Sequence, residues 1–203
     1  MAERPKNLEY YGDIYGNLLP DAAKIAEQQR ASDGVPDART RDMVATSVAQ
    51  ALSLTPASFI AKFDEVCDCA VKGGHASETE ASLFRRLGHA YARRDESEAG
   101  AVLDEIGRHS DGSALLKKVQ ETLPEAQAER RERHPRRFWQ LVGGYIGLWI
   151  GAALGGGWYG AALGFKIGYE LAGVIYDRTG GGPSGSNVMA RPNGEPCTQP
   201  VWL

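Results

Sequence analysis

The chain is poor in the residues on which most catalytic and covalent frameworks depend. Of 203 residues only 3 are cysteine and 4 are histidine. Cys67 and Cys69 stand two apart and Cys197 lies far away, so no even-numbered disulfide framework is indicated, and a reducing compartment is expected. Basic residues are in deficit, 23 against 26 acidic, which removes the cationic excess that nucleic-acid binding draws on, so no nucleic-acid partner is expected. A mean hydropathy of −0.36 argues against a polytopic membrane protein. The first residues, Met1 to Tyr15, carry Lys, Arg, Glu and Asp and no apolar stretch, so a Sec signal peptide is not expected. The expectation is a protein soluble in the producing cytoplasm, and one that leaves by another route if it acts elsewhere.

Strand-like alternation is also nearly absent. Residues 1–20 form a Tyr- and Gly-interrupted lead, after which short helices with recognisable caps follow one another. Asp21 caps a helix ending near Gly34, and a second runs from about Asp37 to before Pro56. Thr55-Pro56 pairs a cap with a first-turn proline, and Gly73-Gly74 ends that third helix. Ser77 with Glu80 is a capping-box pattern. A fifth helix carries Val102, Leu103 and Ile106, a sixth starts at Ser113, and Pro124 opens its own turn toward Arg133. The fold class read from this is all-α: a small bundle of short amphipathic helices over 21–137, then an apolar helical hairpin over 138–176, then a flexible tail over 177–203.

Residues 138–176 hold 11 of the 25 glycines and only two charges, Lys166 and Glu170. The glycines recur every four residues, at Gly143, Gly147, Gly151 and Gly155, then at Gly160, Gly164 and Gly168. Four-residue spacing returns each glycine to nearly one helix face, drifting by about 40° per step. Glycine inside a solvated helix costs about 1 kcal/mol relative to alanine. A bilayer enforces helix and rewards smooth stripes that let two helices approach closely, which is the environment where the pattern makes sense. One helix of this length would reach about 58 Å, twice the roughly 30 Å of hydrocarbon. Split at a turn of Gly155, Gly156 and Gly157, the halves reach about 25 and 28 Å, and each spans a membrane. Trp139, Tyr176, Trp158 and Tyr159 then fall near the interfaces, whereas Trp149 does not.

The run Arg130, Arg131, Arg133, Arg136 and Arg137 precedes the apolar segment. Two readings stand: a patch for anionic lipid headgroups, or a solvated helix end diluted by Glu129 and Glu132. Lys166 and Glu170, one turn apart, either line an aqueous path or pair across subunits, or else mark an interfacial second half.

Other signals are weaker. Gly155, Gly157 and Gly160 match G-x-G-x-x-G, with Asp177 behind them, but no βαβ unit surrounds them. Cys67, Cys69 and His75 do not complete a tetrahedral metal set, and His89, His109 and His134 show no ligand spacing. Neither a nucleophile triad nor a carboxylate pair stands out, so no enzyme activity, cofactor or metal is expected.

An acidic helical region without a signal peptide, followed by glycine rows over residues 143–173, resembles pore-forming antibacterial toxins, in particular the small glycine-zipper effectors of type VI secretion systems. The resemblance implies delivery through a contractile injection apparatus, carriage by its ring-shaped tube protein and insertion into a target bacterium's inner membrane. It further implies ion leakage and a cognate immunity protein. Two helices cannot enclose an aqueous path, so conduction requires a homo-oligomer with the glycine stripes as contact faces. Gly→Val changes there are expected to abolish assembly and leave the helical domain folded. Before insertion the hairpin has to be hidden, by residues 21–128 or by a carrier. The alternatives are a structural, phage ejection-type or membrane-anchored protein that uses the hairpin as an anchor, and a soluble protein in which the segment is a buried helical pair.

Overall fold

Four helices of this chain, those starting at Pro56, Glu78, Glu96 and Ala114, begin where a side chain takes over amide groups that the first turn leaves unbonded. The computed structural model describes residues 18–28, 38–110, 112–132, 134–178, 189–190 and 196–197. The fold is all-α. Helix α1 covers 18–28, and α2 (Ala38–Leu52), α3 (Pro56–Lys72), α4 (Glu78–Arg93), α5 (Glu96–Arg108) and α6 (Ala114–Arg131) follow. Then come α7 (Pro135–Gly151), a π-helical turn (Ala152–Gly156) and α8 (Gly157–Arg178). A two-residue antiparallel pairing sets Met189–Ala190 against Pro196–Cys197.

Thr55 Oγ1 accepts from the Ser58 amide at 3.3 Å, Pro56 opens α3, and Gly73 closes it before Gly74 turns at φ +70°. At α4 both halves of the capping box form: the Glu80 amide donates to Ser77 Oγ at 3.2 Å, and the Ser77 amide to Glu80 Oε2 at 2.7 Å. Asp95 caps α5 by accepting from Glu98 N at 3.0 Å, and Ser113 caps α6 by accepting from Leu116 N at 3.3 Å. Pro124 does not open its own turn: α6 runs through it as one helix. The proline is exposed, and the buried Leu123 and Ala126 hold the axis on either side of the missing amide bond. The first helix is already formed at residue 18, one turn before the expected cap at Asp21, and Leu18 is fully buried. Gly34, expected near its end, lies outside the described residues, as do residues 1–17 and most of the tail.

Helix α7 lies at the centre, with α8, α2, α3, α4 and α6 packed on it, and every residue from Phe138 to Gly151 is buried. Helix α4 grips it twice, with Phe84 stacked on Trp149 at 4.0 Å and Tyr91 edge-on to Trp139 at 5.9 Å. Trp149, which no interfacial position accommodates, is thus a core residue. The Cys67 thiol lies buried beside it, and burial pushes its pKa up to about 12. A single hydrophobic cluster runs from Leu18 to Ile175, so the packing has no break at residue 137.

Candidate functional site

Helices α7 and α8 pack antiparallel, and their glycines meet in register about the Gly155–Gly156 peptide. A methyl on Gly151 would lie 1.9 Å from the Gly160 carbonyl oxygen, and one on Gly147 would lie 2.0 Å from that of Gly164. A methyl on Gly168 would lie 2.2 Å from the Gly143 oxygen, and one on Gly143 would meet the Ala172 methyl at 2.4 Å. Each carbonyl oxygen therefore occupies the space a side chain would fill, and the backbones touch directly. No substitution can enter without moving main chain.

Six of the seven row glycines thus come together at this contact: Gly143, Gly147, Gly151, Gly160, Gly164 and Gly168. Gly155 belongs to the chain reversal. It lies with Gly156 in the π-helical turn, while Gly157 is the first residue of α8. The expected tight turn at Gly155-Gly156-Gly157 is corrected to a wider reversal that begins at Ala152. Helical hydrogen bonding persists through the reversal, so the chain bends without a non-helical loop. The stripes expected to join separate subunits face each other within one chain. Because α7 is also the centre of the bundle, a valine at Gly147 or Gly151 would disrupt the helical domain itself, contrary to the expectation that it would stay folded.

Lys166 and Glu170 sit on the exposed side of α8 and pair with each other at 3.0 Å. The arginine run is bound into the chain's own acids. Arg136 donates to Asp177 Oδ1 and Oδ2 at 2.8 and 2.7 Å and to Gln140 Oε1 at 2.8 Å, tying the first turn of α7 to the last turn of α8. Arg137 donates to Glu129 at 3.0 Å, and His134 bonds the other oxygen of the same carboxylate at 2.9 Å. The Arg137 hydrogen bond and then His134 hold the Glu129 carboxyl below its ordinary pKa. Arg130 lies over Gly100 beside a cleft of about 320 Å³ whose walls include Glu96 and Asp104. Of the remaining two, the Arg131 side chain and Arg133 lie outside the described residues. At Arg136 and Arg137 the run is therefore paired within the chain, to Asp177 of α8 and to Glu129 of α6, the acid that the second reading of the run already set beside it.

The metal signals of the sequence come apart as well. Cys67 is buried and Cys69 exposed. Among the described residues Glu129, Glu132 and His134 bring ligand atoms within 4.8 Å of one another, but Arg137 and His134 already bond Glu129.

One cluster was not legible in the sequence. Arg94 closes α4 in the left-handed region at φ 54°, and its guanidinium lies over the Tyr91 and Trp139 rings at 5.1 and 5.2 Å. It is 7% exposed, and among the described residues Nη1 and Nη2 have no hydrogen-bond partner; neither do the Tyr91 hydroxyl and the Trp139 indole N–H. A cluster of buried polar groups thus meets the first turns of the central helix, where its unmet hydrogen bonds oppose the packing.

Among the described residues no helix is long and apolar enough to cross a membrane. No protein-family model, curated protein or solved structure matches the chain.

Proposed function

We propose that the chain is a pore-forming antibacterial effector, carried with its hairpin buried, that inserts residues 138–176 into a target bacterial inner membrane and associates there around an ion path. One observation carries the reading: a stretch without an Asp, Glu, Lys or Arg from residue 138 to 165 folds back on itself through backbone contact, beneath a cover of amphipathic helices. The two kinds of contact respond differently to lipid. The α7–α8 contact rests on close van der Waals approach, which persists in hydrocarbon. The contacts between α7 and the covering helices rest on exclusion of water, which acyl chains replace at no cost. The hairpin can therefore leave its cover as a unit. In this reading a tube protein carries the folded chain and a cognate immunity protein opposes it. A non-toxic membrane-anchored structural protein remains the alternative.

A further reading follows from the absence of a membrane-length apolar helix among the described residues: a soluble helical protein whose glycine pair is simply its core.

Current recordings on the purified chain in planar bilayers separate the readings. Lys166→Gln and Glu170→Gln serve as variants, because both side chains are exposed and their loss spares the fold. Discrete steps with altered ion selectivity in the variants are expected. Steps with unaltered selectivity would remove the two residues from the ion path, silence despite membrane binding would favour the anchor, and silence without binding would favour the soluble protein.

A further inference from the structure

The described residues expose three large hydrophobic side chains: Met43 at 38%, Trp158 at 50% and Tyr159 at 56%. Two of these are adjacent. They follow Gly157 in the first turn of α8, at the bend of the hairpin, and the half-buried Ala153 and Leu154 precede them. The opposite end of the hairpin is of contrary character, held by the Arg136–Asp177 and Arg137–Glu129 ion pairs. Among the described residues, Lys118 of α6 lies against the aromatics, with Nζ 5.9 Å from the Trp158 ring centre, and is also paired to Glu121. The two ends of the apolar hairpin therefore differ, charged at its base and aromatic at its tip.

We propose that the Trp158–Tyr159 tip is the surface by which the folded protein first docks on a lipid bilayer. The inference rests on the membrane-acting reading above and adds the site and order of encounter. Trp and Tyr each combine a large apolar ring with one hydrogen-bonding group, which suits the headgroup boundary better than bulk water or the hydrocarbon core. Surface binding scales with the apolar area that enters the boundary, and a cation beside the rings faces phosphate. Before any helix separates, Trp158 and Tyr159 are the large apolar side chains that the described residues of the hairpin expose, because α7 is buried from Phe138 to Gly151. The turn behind the tip contains Gly155 and Gly156, so the tip can enter the boundary while the helices of the hairpin stay in contact.

The test is flotation of the full chain with phosphatidylcholine and phosphatidylcholine/phosphatidylglycerol vesicles, with release of a trapped dye read in the same samples. Trp158→Ser/Tyr159→Ser is expected to lower vesicle partition by at least about tenfold, since binding follows the apolar area inserted. Met43→Ser, the matched loss of an exposed apolar side chain on α2, is expected to bind as the parent does. Both variants are expected to retain the parent's circular dichroism and melting, because the altered side chains are exposed. Unchanged partition of the tip variant would overturn the docking site, while dye release by both proteins would leave the pore reading standing. Tip-dependent binding with no dye release would keep the docking site and sink the pore. No binding by the parent would remove both. A solution dimer that the tip substitutions dissolve would assign the patch to a second copy and overturn the membrane assignment.

Discussion

The helices α3 to α6 and the pair α7–α8 are held by opposite means. In the first group each helix is bounded by its own caps and joined to its neighbours by side chains, with Phe, Leu and Tyr on one face and ions on the other. In the pair, α7 has no side-chain cap, charges appear only near the ends and on the exposed side of α8, and backbone meets backbone. The difference lies in tolerance. A side-chain interface can absorb a methyl group by changing a rotamer, whereas a backbone interface can absorb it only by separating two helices.

The same substitution placed in each region gives the largest contrast. Gly151→Ala puts a methyl 1.9 Å from the Gly160 oxygen, whereas Gly107→Ala in α5 meets only the far end of Leu123 at 3.3 Å. We expect the first to lose more than about 3 kcal/mol in urea unfolding, the upper range for overpacking. The second should gain roughly 0.5–1 kcal/mol from helix propensity. Equal effects would erase the distinction between the two interfaces.

Arg94, where α4 meets α7, tests the join between the regions. Its stacking on two rings contributes about 2 kcal/mol when desolvated, less than the several kcal/mol of taking an unpaired ion out of water. Arg94→Met is therefore expected to raise stability by about 1–2 kcal/mol, measured by thermal melting, and a loss would show that the rings compensate the charge.

Within the capped helices, Ser77→Ala is expected to cost about 1 kcal/mol. Glu80, at the same cap, adds a pH dependence. Burial raises its pKa, but hydrogen bonds from Ser113 and Ser77 outweigh this and bring it below the ordinary value. Its contribution is therefore present above the ordinary Glu range and lost as pH falls through the depressed folded value. The stability difference between the parent and Glu80→Gln should shrink over that acid window, and a difference constant with pH would contradict the assignment. The smallest effect belongs to the base of the hairpin: Asp177→Asn removes a half-exposed ion pair and should cost less than about 1 kcal/mol, vanishing at high salt.

Ends of helices were legible wherever the signal was local. Thr55-Pro56, Ser77 with Glu80, and Ser113 each act on an amide within three residues, so no distant contact is needed to realise them. Pro124 misled because its apparent punctuation is overridden by the burial of Leu123 and Ala126 against other helices. The arginine run was legible in part: Glu129, which takes Arg137, stands beside the run, whereas Asp177, which takes Arg136, lies 41 residues beyond it.

The sequence by itself determined that the chain is helical, where most of its helices start, and that two smooth glycine rows stand equally spaced about one peptide. These follow from capping chemistry and the 3.6-residue period, which act over a few residues. Only the tertiary structure decided that the rows close on each other within one chain, that α7 becomes the centre of the bundle, and that the aromatic bend is left outside. A glycine row fits any smooth partner it meets, and which partner that is depends on the packing of elements far apart in the chain.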